Sequence, residues 1–133
     1  MQRCVLSLLL VILVASAKAQ SWGDSSFKER PLFYSVEVAP KFPSGMQGYY
    51  AFLSENLKMP ANKFSFSSHK VVIVRIILDT AGKIAFAEIE KGLNENYDQA
   101  ALETVKAMPA WTPGLQNHHP VPVSISLPLL FID

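Results

Sequence analysis

Three histidines, two neighbouring glutamates and one oddly placed arginine are the side chains here whose types could do chemistry, and their spacing limits what each can do. His118 and His119 are adjacent, and His69 is far from both. A zinc-type centre needs three or four convergent ligands. Adjacent residues in extended backbone point apart, and no cysteine or obvious carboxylate accompanies these two. The pair is expected at a polar loop tip, and neither a metal nor another cofactor is expected. Glu88 and Glu90 alternate along a strand-like stretch and fall on its solvent face. Paired carboxylates work as acid and base only when burial or a shared proton separates their pKa values, and nothing around them provides either. No serine stands in a nucleophile-elbow pattern, no glycine-rich phosphate loop is present, and the one thiol, Cys4, lies near the start of the chain. The chain is therefore not expected to be an enzyme; a metal protein or enzyme built on His69, His118 and His119 is the rival from another class. Arg75, inside the apolar run Lys70 to Leu78, is expected to pair with Glu88 or Glu90 across a hairpin, a structural task.

What remains is main-chain chemistry, and it is concentrated in the last segment. Val121, Val123, Ile125, Leu127, Leu129 and Phe131 are uniformly apolar, while Ser124 and Ser126 fall between them. Alternation sends the odd side chains under a covering layer and the even ones away from it. Alternate amides share an edge in the same way, and the two prolines, Pro122 and Pro128, are both even. Proline has no N–H, so it sits where no ladder bond is required. The even amides must then face outward, which makes this an edge strand with open donors at Ser124, Ser126 and Leu130. Such an edge can accept an extended peptide as an added strand. Blunting of an exposed edge by the prolines follows from the same geometry.

The elements that must position this edge follow from patterning. Met46, Tyr49, Tyr50, Leu53 and Leu57 recur at helical spacing behind Ser44, a candidate N-cap, and Pro60 stops the run, predicting a helix over about 45–58 with its aromatic stripe in the core. Phe33 to Val38 reads as a short strand or extended arm, and residues 61–69 as a loop. Lys70 to Leu78 is β-branched on both faces, as a central strand should be. Asp79-Thr80-Ala81-Gly82 turns it into a second strand over Ile84 to Lys91. Asn96 with Gln99 forms a capping-box variant ahead of a helix whose face is Tyr97, Ala101, Val105 and Met108, with Leu102 widening the stripe, Glu103 pairing with Lys106 outside, and Pro109 as terminator. Trp111, between Pro109 and Pro113, is expected to plug the end of the core.

The ends bound location. Arg3, an apolar run from Cys4 to Ala17 and the small-residue site Ala17-Lys18-Ala19 have the layout of a secretory signal peptide over residues 1–19, shorter than the roughly 20 residues that span a bilayer. Residues 20–32 are expected to be a short disordered leader, and 33–133 one domain. Loss of Arg3 and Lys18 leaves ten basic against eleven acidic side chains, a balance that implies neither nucleic acid nor an anionic membrane surface. The mature chain is expected to be exported, free of a membrane span and without disulfides.

The order helix, strand, turn, strand, helix, strand, with Ala39-Pro40-Lys41-Phe42-Pro43, Asp79-Thr80-Ala81-Gly82-Lys83-Ile84, Tyr97-Asp98-Gln99-Ala100-Ala101-Leu102 and Trp111-Thr112-Pro113-Gly114, resembles the TonB C-terminal domain over about 36–132. The resemblance implies an α+β fold, a small antiparallel sheet of about three strands with two helices packed on one face. It also implies a periplasmic domain of the Gram-negative envelope whose final strand receives the N-terminal peptide of an outer-membrane transporter, with Ser124, Ser126 and Leu130 on the docking edge. Strand-exchanged homodimers in that family would compete for the same edge. Three features depart from the resemblance: the short N-terminal segment differs from a retained anchor with a long proline-rich linker, Lys63 to Lys70 lacks the glycine that similar domains place just before the central strand, and Asn117-His118-His119 replaces a glycine-containing turn. An anchored energy transducer, if the N-terminal segment is retained, and a purely structural envelope component are the alternatives.

Overall fold

The computed structural model describes residues 21–60 and 70–131. The expected signal peptide and the expected loop over 61–69, with His69, lie outside the described residues.

The β-branched run forms strand β2 (Lys70–Leu78), and Asp79 turns it back into β3 (Ile84–Lys91). The Asp79 carboxylate accepts the N–H groups of Ala81 and Lys83, each at 2.9 Å, and Gly82 takes the left-handed conformation with φ 79°. A Cβ at Gly82 would overlap the Trp111 carbonyl oxygen, so only glycine allows the turn to dock against the loop after the second helix. That docking is sealed by the Trp111 N–H, which donates to the Gly82 carbonyl at 2.8 Å.

The last strand, β6 (Val123–Phe131), pairs antiparallel with β2 from Lys70↔Phe131 to Leu78↔Val123. A short strand, β1 (Ser21–Gly23), pairs antiparallel with the other side of β3. The sheet order is β1-β3-β2-β6, which makes β2 central and β6 an edge. The leader expected to lack structure thus contributes a strand and a 3-10 turn (Ser25–Glu29) capped by Asp24, whose side chain accepts the Ser26 N–H at 2.9 Å. Its three-residue register, Ser21↔Glu88 to Gly23↔Phe86, is supplied by the free edge of β3 rather than by any pattern of its own. Lys28 completes the attachment with an ion pair to Glu88 at 3.0 Å. Glu88 also receives Arg75 at 2.9 Å, the cross-strand pair that the sequence predicts.

Helix α1 (Gly45–Asn56) and helix α2 (Glu95–Lys106) both pack on one face of the sheet. The core joins Tyr49 and Leu53 of α1 and Tyr97, Ala101, Leu102 and Val105 of α2 to Val72, Val74, Ile76 and Leu78 of β2. Leu127, Leu129 and Phe131, odd residues of β6, point into the same layer. Trp111 is buried there, edge-on to Phe42 with ring centres 5.4 Å apart.

Several local expectations are corrected. Ser44 occupies the N-cap position but is left-handed, with φ 65°, and its side chain makes no capping bond. Helix α1 ends at Asn56, before the expected Lys58, where Leu57 turns extended. Only part of its stripe is core, since Met46 and Tyr50 are 63% and 61% exposed. The cap of α2 is Asn94, not Asn96: its side chain accepts the Tyr97 N–H at 2.9 Å. Glu103 accepts from the Gln99 amide at 3.0 Å, and Lys106 lies over the Trp22 ring rather than pairing with Glu103 in the way expected.

Val121 belongs to an unforeseen hairpin of β4 (Gly114–Gln116) and β5 (His119–Val121), leaving β6 to start after Pro122. Asn117 and His118 form the two-residue loop, with φ 51° and 64°, the positive-φ pair of a type I′ turn.

Candidate functional site

The outer edge of β6 is built by the register of its pairing with β2. In an antiparallel ladder, residues opposite each other alternate between bonded and non-bonded pairs. Pro128 lies opposite Ile73 and Ser126 opposite Arg75, so all even residues of β6 share one class. Two bonds identify the class: the Ser124 N–H donates away from β2 to the Phe33 carbonyl at 3.0 Å, and the Pro128 carbonyl accepts the Tyr49 hydroxyl at 3.0 Å. The even N–H and C=O groups therefore face outward.

The structure brings Ser124, Ser126 and Leu130 onto this one edge, but does not leave all three open. Ser124 is buried and its amide is engaged by Phe33, which corrects its expected role as a free donor. The cause is the segment ahead of α1, which runs extended past the edge and forms a parallel bridge between Phe33 and Val123. Its N–H donates to the Pro122 carbonyl at 3.1 Å. Ser126 is exposed and Leu130 is 38% exposed, and among the described residues neither amide has a backbone partner.

Beside the edge runs an apolar groove walled by α1. One part, about 480 Å³, is lined by Met46, Tyr49, Tyr50, Trp111, Ser126 and Leu127. A second, about 470 Å³, lies between Tyr50, Leu57, Met59, Leu130 and Phe131, and the two share Tyr50 and Pro128. Burial and the neighbouring Tyr50 push the Tyr49 hydroxyl up to about 12, so it stays protonated and donates to Pro128 throughout the physiological range.

Residues 69–132 match the family model for the Gram-negative bacterial TonB protein C-terminal. Over this stretch the chain is similar to a TonB C-terminal domain. No curated protein and no solved structure shows a match to the chain. The TonB C-terminal match begins just before β2 and takes in β3, α2, the β4–β5 hairpin and β6. Helix α1, which walls the groove, and the Phe33 segment, which covers the start of β6, precede the matched stretch. Domains of this family have interaction and energy-transduction roles in the Gram-negative envelope rather than catalytic ones.

The other candidate residues are dispersed. His118 sits at the tip of the β4–β5 turn and His119 begins β5. Glu88 is held by Arg75 and Lys28, while Glu90 is exposed. Among the described residues, no group of three or more His, Cys, Asp or Glu side chains could hold a metal ion. No helix among them is long and apolar enough to cross a membrane.

Two participants escaped the sequence reading. Tyr49 was legible as a core aromatic, but its hydroxyl's bond to an edge carbonyl depends on long-range packing. Phe33 offered only weak alternation, and the edge it occupies is ninety positions away along the chain.

Proposed function

We propose that this TonB C-terminal-like domain acts in the periplasm by taking an extended segment of an envelope protein as an added strand on the outer edge of β6. The partner class that fits best is the N-terminal peptide of an outer-membrane transporter, which links the domain to TonB-dependent transport. The supporting observation is the outward set of main-chain groups at Ser126 and Leu130 beside an apolar groove. Main-chain bonds would supply affinity, and alternate side chains entering the groove would supply specificity. Ser124 joins the contact only where its bond to Phe33 is exchanged. Export by a cleaved signal peptide belongs to the same reading, and mass spectrometry of the protein from the cell envelope should find a start near Gln20. An intact N-terminus would favour an anchored transducer instead.

The decisive experiment is an amide-resolved NMR titration of residues 20–133 with N-terminal peptides of outer-membrane transporters from the same cell. Saturable shifts centred on Ser126 and Leu130 support strand addition. No shift up to about 1 mM peptide, where contacts of only about 4 kcal/mol would register, rejects it.

A further inference from the structure

The edge of β6 is already partly used by the chain itself. An added strand bonds to outward carbonyl and amide groups in turn, and at the start of β6 that pair is the Pro122 carbonyl and the Ser124 amide. Phe33 occupies both, donating to the first at 3.1 Å and accepting from the second at 3.0 Å. It runs parallel to β6, so the segment satisfies this rung as a docked peptide would.

This rung is separable from the rest of the segment's attachment. Further on, Val38 and Leu115 exchange two bonds at 3.1 and 2.9 Å, and Lys41 and Thr112 exchange two at 3.1 and 2.8 Å. Glu37 grips the β4–β5 hairpin as well, donating its N–H to the Gln116 side-chain oxygen at 3.2 Å and accepting the Asn117 N–H at 3.3 Å. Between these anchors and Phe33 lies Tyr34, 70% exposed. Detaching Phe33 breaks two hydrogen bonds and leaves the anchors at residues 37–41 in place.

We infer that Phe33 is an intramolecular competitor for the docking edge: a short partner strand pairs with Ser126 to Leu130 unopposed, whereas one reaching Ser124 must displace Phe33. This rests on the strand-addition reading. Displacement replaces two bonds by two of the same kind, so the outcome is set by partner length and concentration rather than by a change in the number of bonds.

The test uses residues 20–133 with two probes, acetyl-(Thr-Val)3-amide and acetyl-(Thr-Val)5-amide, the longer able to extend past Ser124. Tyr34→Cys with Ser124→Cys, next in register after Phe33 and Val123, locks the segment reversibly in a stretch with no other cysteine. Phe33→Pro removes the donor to Pro122 and releases the rung, and a melting curve establishes that each variant folds. Isothermal titration is expected to show the short probe binding all forms alike. The long probe should bind the oxidised lock no better than the short one, and Phe33→Pro about tenfold better. Hydrogen exchange of the Phe33 amide should accelerate when the long probe is added to the unmodified protein. An equal gain from length in locked and released forms overturns the competition while leaving strand addition standing. Failure of both probes to bind any form overturns both.

Discussion

Tyr49 illustrates how one atom changes the meaning of a residue. Its ring is core, edge-on to Phe42 at 5.7 Å, but its hydroxyl holds an edge carbonyl of β6. Tyr49→Phe should cost about 1 kcal/mol, the net worth of a typical hydrogen bond, measurable by urea denaturation, with the ring packing retained. The same group sets an alkaline limit. Its pKa in the fold, about 12, lies above the ordinary 10, so the neutral form is favoured by folding. Its contribution is complete below pH 10 and is lost as pH rises towards 12. The wild-type chain should therefore lose more stability than Tyr49→Phe across that window, with one phenol titrating late in the ultraviolet. His118 is the opposite case, a side chain that carries a backbone cost. At φ 64° it occupies a conformation suited to glycine, and His118→Gly should stabilise the domain by on the order of 1 kcal/mol, read from the denaturation midpoint at unchanged slope.

The elements were legible to the degree that each declares itself locally. The run Lys70 to Leu78 and the proline parity of β6 predicted a central strand and an edge, because alternation and a missing N–H are properties of the strand itself. The apolar stripe of α2 was equally plain, whereas its cap was not. Asn94 and Asn96 are both competent, and the winner was set by which side chain reaches the N–H of the third helical residue: Asn94 reaches Tyr97. Asn94→Ala should cost about 1 kcal/mol and Asn96→Ala much less, a comparison that thermal melts can make directly. Strand β1 was illegible because Ser21-Trp22-Gly23 has no alternation and takes its conformation from the unpaired side of β3. The β4–β5 hairpin was hidden by its loop, Asn117-His118, in which no glycine announces a type I′ turn. Ser124 was placed on the correct edge by parity, but the neighbour that covers it comes from far away in sequence, which parity cannot see.

At the scale of the whole molecule, the sheet's two borders are not alike. One is β6, with outward groups at Ser126 and Leu130. The other is β1, only three residues long and set against Phe86 to Glu88 of β3, whose strand runs on to the exposed charges Glu90 and Lys91. A chain that offered two open borders could add copies at both and grow without end, since a head-to-tail contact that fails to close makes a fibre. Very short strand edges flanked by charges oppose this. Because among the described residues β6 is the long border of the sheet and β1 the short one, self-pairing could join two copies through β6 in each, and the joined sheet would then end at β1 on both sides. Sedimentation of residues 20–133 up to millimolar concentration should accordingly stop at two chains, and peptide probes for β6 should dissolve any such pair; species larger than two would mean that the β1 border pairs as well. The shortness of β1 thus makes that border a poor template for a further copy, while Trp22 under Lys106 and Gly23, whose added Cβ would overlap the Ala85 carbonyl, hold the strand in place.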